Sequence, residues 1–121
     1  MADIYIPERN DIIWLDFEPT KGKEIGKYRP ALVLSSQQYN KQTSLLICCP
    51  ISTSIRGAST EVSVNNLDKP SAVASNLIQT LSWKDRKAKF ITKAESDVMD
   101  AVLVRIIPLI GANNVIEKLI K

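Results

Sequence analysis

Histidine is absent from this 121-residue sequence. That absence removes the paired-imidazole route to RNA cleavage, Ser-His-Asp hydrolysis and most zinc chemistry. Only two cysteines occur, Cys48 and Cys49, and they are adjacent. Neighbouring side chains on a strand point to opposite faces, so these two cannot easily bridge each other. One is expected in the core and the other partly exposed. Without a second pair there is no metal-ligand spacing, and without histidine a cysteine nucleophile lacks its usual base. Both cysteines read as structural, and no metal or cofactor is expected. Glycine-rich phosphate loops of Walker or Rossmann spacing are missing. No apolar run approaches the ~20 residues of a transmembrane helix. The start, Met1-Ala2-Asp3-Ile4-Tyr5, has neither the basic lead nor the apolar centre of a signal peptide. A cytoplasmic protein without membrane contact is expected. Any catalysis must rest on Arg, Lys, Glu, Asp, Tyr or hydroxyl groups.

What is present is ordinary in bulk and unusual in one place. Hydrophobic residues make up 45% and charged residues 24% of the chain, a balance typical of a globular domain. The length suits one domain over 1–121, with 112–121 as a tail extension. A net charge of +3 permits an anionic partner without requiring one. The unusual stretch is Thr20-Lys21-Gly22-Lys23-Glu24-Ile25-Gly26-Lys27-Tyr28-Arg29-Pro30. It lies between two apolar runs that read as strands, and its two glycines and closing proline mark it as a loop. Lys21, Lys23, Lys27 and Arg29 surround the single carboxylate Glu24. A flexible basic loop with one acid suits holding and cleaving a phosphodiester. The same charges would also serve a merely solvated hairpin.

Along the chain, 1–10 reads as an arm stopped by Pro7. Asp11–Phe17 alternates as a first strand, Ala31–Ser35 as a central one, and Ser44–Ile51 as a third, apolar on both faces. Ser36–Gln42 suits a short helical turn. Thr60–Val64 places Val62 and Val64 on one face, and two further strands are expected near 72–75 and 78–83. The basic segment 84–91 reads as an edge strand. Thr92-Lys93-Ala94-Glu95 fits a capping box. Beyond it Val98, Val102 and Ile106 recur at helical spacing, with Met99, Leu103, Ile107 and Ile110 widening the stripe. Pro108 is expected to kink or end this helix near Ile107, and Gly111 to terminate it. A short amphipathic helix in 113–121, carrying Val115, Ile116, Leu119 and Ile120, would offer a partner surface. Short strands, tight loops and a terminal helix describe a strongly bent sheet or barrel, an α+β fold that is mainly β.

Asp16-Phe17-Glu18-Pro19-Thr20-Lys21-Gly22-Lys23-Glu24, followed by Arg29-Pro30-Ala31-Leu32-Val33-Leu34-Ser35, resembles the MazF/PemK toxin family. The similarity continues through Tyr39-Asn40, Pro50 and Gly57. It resumes in Leu81-Ser82-Trp83-Lys84-Asp85-Arg86 and in the helix ending Leu109-Ile110-Gly111. It covers roughly 5–111. The resemblance implies an SH3-like barrel with a C-terminal helix and a homodimer. It implies a metal-independent endoribonuclease that cuts single-stranded RNA such as mRNA at short sequences. It further implies neutralisation by a cognate antitoxin, with operator DNA bound through the antitoxin of the complex. Glu24 and Arg29 occupy the family's acid and arginine positions. Ser52 stands where many relatives have a catalytic threonine, with Thr53 beside it. Asn76 replaces an aspartate of several members, Leu77 a frequent glutamine, and Asn10 a first-strand glycine, which asparagine tolerates well.

In the chemistry so implied, the RNA 2′-hydroxyl attacks the adjacent phosphorus and leaves a 2′,3′-cyclic phosphate and a 5′-hydroxyl. Arg29 would stabilise phosphoryl charge through paired hydrogen bonds, and Ser52 or Thr53 would donate another. Glu24 would act as base or orient Arg29. Ser52 and Thr53 would equally serve as strand-end caps. Lys21, Lys23, Lys27, Arg56, Asn76, Lys84, Arg86, Lys87 and Lys89 are candidates for contact with RNA, with Tyr28 or Trp83 available to stack a base. Trp83 reads better as core, and the 84–89 run would also guard an edge strand. Two other readings remain: a gyrase poison of the CcdB type, which is thought to share the fold, and a nucleic-acid-binding module without catalysis.

Overall fold

The computed structural model describes residues 4–22 and 25–121. Among these residues, seven strands form one antiparallel system: β1 (Asp11–Asp16), β2 (Tyr28–Val33), β3 (Leu45–Ser52), β4 (Glu61–Val64), β5 (Ser71–Ala74), β6 (Gln79–Ser82) and β7 (Lys89–Lys93). The helices are α1 (Gln37–Thr43), α2 (Val98–Leu109) and α3 (Ala112–Leu119). Strand order is β4-β5-β3-β2-β1-β7, with β6 also paired to β3.

The sheet curls because β3 changes partners along its length. Its first half, Leu45–Cys48, pairs with β6, and its last two residues, Ile51 and Ser52, pair with β5. Pro50 lies in the gap between those ladders and pairs only with Ala31 of β2. A missing amide hydrogen costs nothing there, so the proline sits where the strand turns the corner. The result is a curled half-barrel with helices at the C-terminal end of the chain.

The sheet buries both faces, which explains why its central strands read as unbroken apolar runs. Ile12, Leu32, Cys49 and Ile51 face the α2 side, where Val98, Val102 and Ile106 pack on them. Ile13, Leu15, Phe17, Ala31, Val33, Leu46 and Cys48 form the other cluster with Trp83. The cysteines do point to opposite faces, but both are fully buried. The expected partial exposure of one fails because α2 covers the second face. Trp83 is core, with its indole N–H donating to the Asn40 carbonyl at 2.8 Å. Asn40 is itself completely buried. It accepts from Ser35 Oγ at 2.5 Å and donates to the carbonyls of Pro7 and Ser35. One side chain thus joins the N-terminal arm and the β2–α1 connection, while its own carbonyl holds Trp83.

Several local expectations are corrected. Tyr28, Arg29 and Pro30 belong to β2 rather than to the loop. Pro30 is accommodated because the ladder to β3 begins only at Ala31. The presumed edge strand at 84–91 starts at Lys89. Residues 83–87 form turns, closed by Ser82 Oγ donating to Asp85 Oδ2 and accepting from the Asp85 amide. Thr92 and Lys93 are strand residues paired with Ile12 and Asp11, so they cap no helix. Glu95 caps a different segment, accepting from the Asn65 amide at 2.6 Å. The helix begins at Val98 after Asp97. It runs to Leu109, past Pro108, which occupies its last turn. Leu103 and Ile110 face solvent instead of extending the buried stripe. Gly111 separates α2 from α3 at φ 73°. Asn10 holds φ 80°, the left-handed conformation a glycine would otherwise supply.

Candidate active site and RNA groove

The site forms where the beginning of β2 lies beside the end of β3. Their register pairs Ala31 with Pro50. Continued two residues outward, it sets Arg29 opposite Ser52. A cavity of about 250 Å³ opens there, lined by Lys27, Tyr28, Arg29, Pro30, Ile51, Ser52, Thr53, Ser54 and Ser71. Four sequence-predicted residues besides Arg29 therefore converge with it: Lys27, Tyr28, Ser52 and Thr53.

The β1–β2 connection is organised from Glu18. Its carboxylate accepts from the Lys27 amide at 2.8 Å. Gly26 passes so close that a Cβ there would overlap the Glu18 carboxylate, so a side chain at 26 would push the connection open. The Gly26 carbonyl accepts from Arg29 Nε at 2.6 Å. That bond fixes the guanidinium plane, and among the described residues no acceptor engages its terminal nitrogens. Partial burial lowers the Arg29 pKa from its ordinary value. The group stays cationic at neutral pH because arginine starts above ~12. A fixed, partly desolvated arginine with open donors is suited to gripping a phosphate. Lys23 and Glu24 lie outside the described residues.

Ser52 Oγ accepts from the Ser54 amide at 3.0 Å. Ser52 is thus the hydroxyl that caps the strand end, and its own proton remains available to a ligand. Thr53 is exposed and faces the same cavity.

Two further cavities continue the groove. One, of about 470 Å³, shares Ser52 and Ser54 and adds Ile25, Gly26, Arg56, Glu61, Asn76 and Leu77. The other, of about 420 Å³, shares Pro30, Thr53 and Ser71 and adds Trp14, Leu67, Lys69 and Ile91. Arg29 therefore stands at the middle of a groove with a polar end and an apolar end. Tyr28 stacks on Trp14 at 5.5 Å and donates from its hydroxyl to the Lys87 carbonyl.

The remaining basic candidates lie elsewhere. Arg86 Nη1 donates to the carbonyls of Asp16 and Glu18 at 3.1 and 2.8 Å, so it braces the base of the β1–β2 connection. Lys84 lies over the Trp83 ring, 5.6 Å from its centroid. Lys21, Lys84, Lys87 and Lys89 line none of the three cavities. Sequence reasoning missed the positional roles of Glu18 and Glu61. Glu18 stood inside the quoted motif, directly before Pro19, and that was the available signal. Glu61 opens a short strand, and nothing in the sequence singles it out. Among the described residues, no three His, Cys, Asp or Glu converge as a metal site.

A model of the PemK-like, MazF-like toxins of type II toxin–antitoxin systems matches residues 8–110. The chain belongs to this family. It is 32% identical over 111 residues to the endoribonuclease toxin MazF of Escherichia coli strain K12, covering 92% of this chain and 100% of that protein. The crystal structure of MazF from Deinococcus radiodurans superposes with a TM-score of 0.86 at 34% identity, covering 89% of this chain and 99% of that one. A chain of the MazE–MazF crystal structure from the same organism gives a TM-score of 0.79 at 34% identity, with 89% of this chain and 98% of that one covered. Membership makes the curled sheet the toxin fold. Among the described residues, no single helix is long and apolar enough to cross a membrane.

Proposed function

We propose that this family member is an endoribonuclease toxin that cuts single-stranded RNA without a metal ion, through the groove centred on Arg29. The observation that carries the reading is the convergence of Arg29, Ser52 and Thr53 on one cavity, with Arg29 Nε held by the Gly26 carbonyl. The 2′-hydroxyl attacks the neighbouring phosphorus, and its proton passes to a base, for which Glu24 is the family-position acid. Arg29 stabilises the charge building on the phosphoryl oxygens, and Ser52 or Thr53 donates a further hydrogen bond. The 5′-oxygen leaves with a proton supplied by Arg29 as general acid or by water, so the ends are a 2′,3′-cyclic phosphate and a 5′-hydroxyl. Lys27, Arg56 and Asn76 contact the strand along the groove, and Tyr28 offers a stacking face.

The further parts of the reading are a single domain over 1–121 with a tail from 112, a homodimer, and a cytoplasmic site of action on mRNA. A cognate antitoxin neutralises the toxin, and the complex reaches operator DNA through that antitoxin. The family description supports the antitoxin as a class of partner. Exposed Val104, Leu109, Ile110, Val115, Leu119 and Ile120 on and beside α2 and α3 support burial against another protein surface.

The test is incubation of the protein with long single-stranded transcripts in EDTA, followed by end-group analysis. Discrete cuts with cyclic phosphate ends are expected, and Arg29→Ala should lower the rate by about 100-fold or more while its circular dichroism stays unchanged. Intact RNA from folded wild-type protein, or undiminished cutting by Arg29→Ala, would overturn the assignment.

A further inference from the structure

The polar end of the groove contains a carboxylate that the reaction does not use. Glu61 opens β4, and its side chain turns back into the preceding connection. Oε1 accepts from the Ala58 amide at 2.7 Å and the Arg56 amide at 3.2 Å, and Oε2 also accepts from the Arg56 amide at 3.1 Å. The Glu61 amide returns a bond to the Ala58 carbonyl at 3.1 Å. Gly57 between them takes φ 74°, the conformation that lets amides on both sides converge on one anion. The connection is also tied from outside, by Arg105 Nε of α2 donating to the Ser59 carbonyl at 3.0 Å. Hydrogen bonds from the Arg56 and Ala58 amides hold the Glu61 carboxyl below its usual pKa, so it is ionised at neutral pH. The Arg56 backbone is therefore pinned at its own amide and again just beyond it at Ala58 and Ser59. Arg56 lines the cavity with Ser52 and Asn76; its guanidinium has no hydrogen-bond acceptor among the described residues, and its charge adds a weaker electrostatic pull on the Glu61 carboxyl.

We propose that Glu61 is a positioning residue that fixes the Arg56 connection against the groove and thereby sets how tightly single-stranded RNA is captured. This deepens the nuclease reading and rests on it for the identity of the ligand. A cation on a loose connection must be ordered each time a phosphate binds, and that ordering subtracts from affinity. Prepaid by Glu61, it does not. The effect belongs to binding and not to the chemical step, because Arg29 is oriented independently from Gly26 and Glu18.

The experiment measures binding of a mixed-sequence single-stranded 2′-O-methyl oligoribonucleotide, which lacks the attacking hydroxyl, alongside cleavage of the unmodified RNA. Glu61→Ala should weaken binding and raise KM by about tenfold, with kcat nearly unchanged. Glu61→Gln keeps an oxygen for the two amides and should recover most of that loss. Arg56→Ala should weaken binding to a similar extent, and the Arg56→Ala/Glu61→Ala double variant should be no weaker than either single one. Additive losses in the double variant, or a fall in kcat at constant KM, would overturn the proposal. If wild-type protein binds the methylated strand and cuts no RNA, the nuclease reading fails. The binding cycle then still decides the role of Glu61.

Discussion

Titratable side chains held by burial or by Asp11 tie this fold to neutral pH. Tyr5 donates to Asp11 Oδ2 at 2.5 Å, and Lys93 pairs with Asp11 Oδ1 at 2.5 Å. Burial, then the bond to Asp11, raises the Tyr5 phenol, and the bond to Asp11 raises the Lys93 ammonium. Burial pushes the Cys48 thiol up and raises Cys49 to about 12. All four pKa values are higher in the folded state than in the unfolded chain, where a thiol ionises near ~8.5 and a phenol near ~10. Their contributions are complete below those unfolded values and disappear as pH rises toward the folded ones. Thermal stability should hold level to roughly pH 8.5 and fall above it, each buried thiol removing about 1.4 kcal/mol per pH unit. Melts at pH 7, 9 and 10.5 check this, and a Tm unchanged at the highest pH would refute it. Neither thiol should react with a bulky disulfide reagent before unfolding.

At the scale of the elements, polar side chains decide how strands and helices are joined. Asn40 sits inside α1 yet bonds to the arm at Pro7 and to Ser35. Asn40→Ala should cost about 2–3 kcal/mol, because the Ser35 hydroxyl and two carbonyls would lose partners away from water. Urea unfolding measures the loss, and a change under half a kcal/mol would mean that water reaches the pocket. The capping-box motif at Thr92 teaches the same lesson in reverse. Its residues had the right chemistry for a helix start, but pairing of Thr92 with Ile12 and of Lys93 with Asp11 outweighed a local cap. Glu95 then served the Asn65 turn. The strands themselves were legible, because alternation and apolar runs report burial directly. The turn at 83–87 was not, since its cause is one hydroxyl–carboxylate pair, Ser82 and Asp85.

For the whole molecule, a net charge of only +3 cannot draw RNA to every surface, so the cations in the groove carry the attraction. With Lys27, Arg29 and Arg56 each neutralising one phosphate of a single strand, about two counterions are released on binding. Affinity for single strands should then drop roughly twentyfold between 50 and 200 mM salt. Titration of the 2′-O-methyl strand across that range gives the slope. A flat response would place binding on stacking at Trp14 and Tyr28. Arg86, which sequence reasoning placed among the RNA contacts, should affect this slope little, since Nη1 is engaged by Asp16 and Glu18.

The sequence by itself determined most of the strand pattern, the opposite-facing cysteines and the exclusion of imidazole chemistry. Each follows from side-chain periodicity or plain absence. It also marked Arg29, Ser52 and Thr53 as candidates through a motif, without any statement of distance. The tertiary structure alone decided that Arg29 and Ser52 face one cavity, because antiparallel register between β2 and β3 joins positions far apart along the chain. It alone separated Arg86 from the groove, and it alone bent Glu61 back onto the Arg56 amide. Hydrogen bonds between distant segments carry no periodic signature, and only the folded chain displays them.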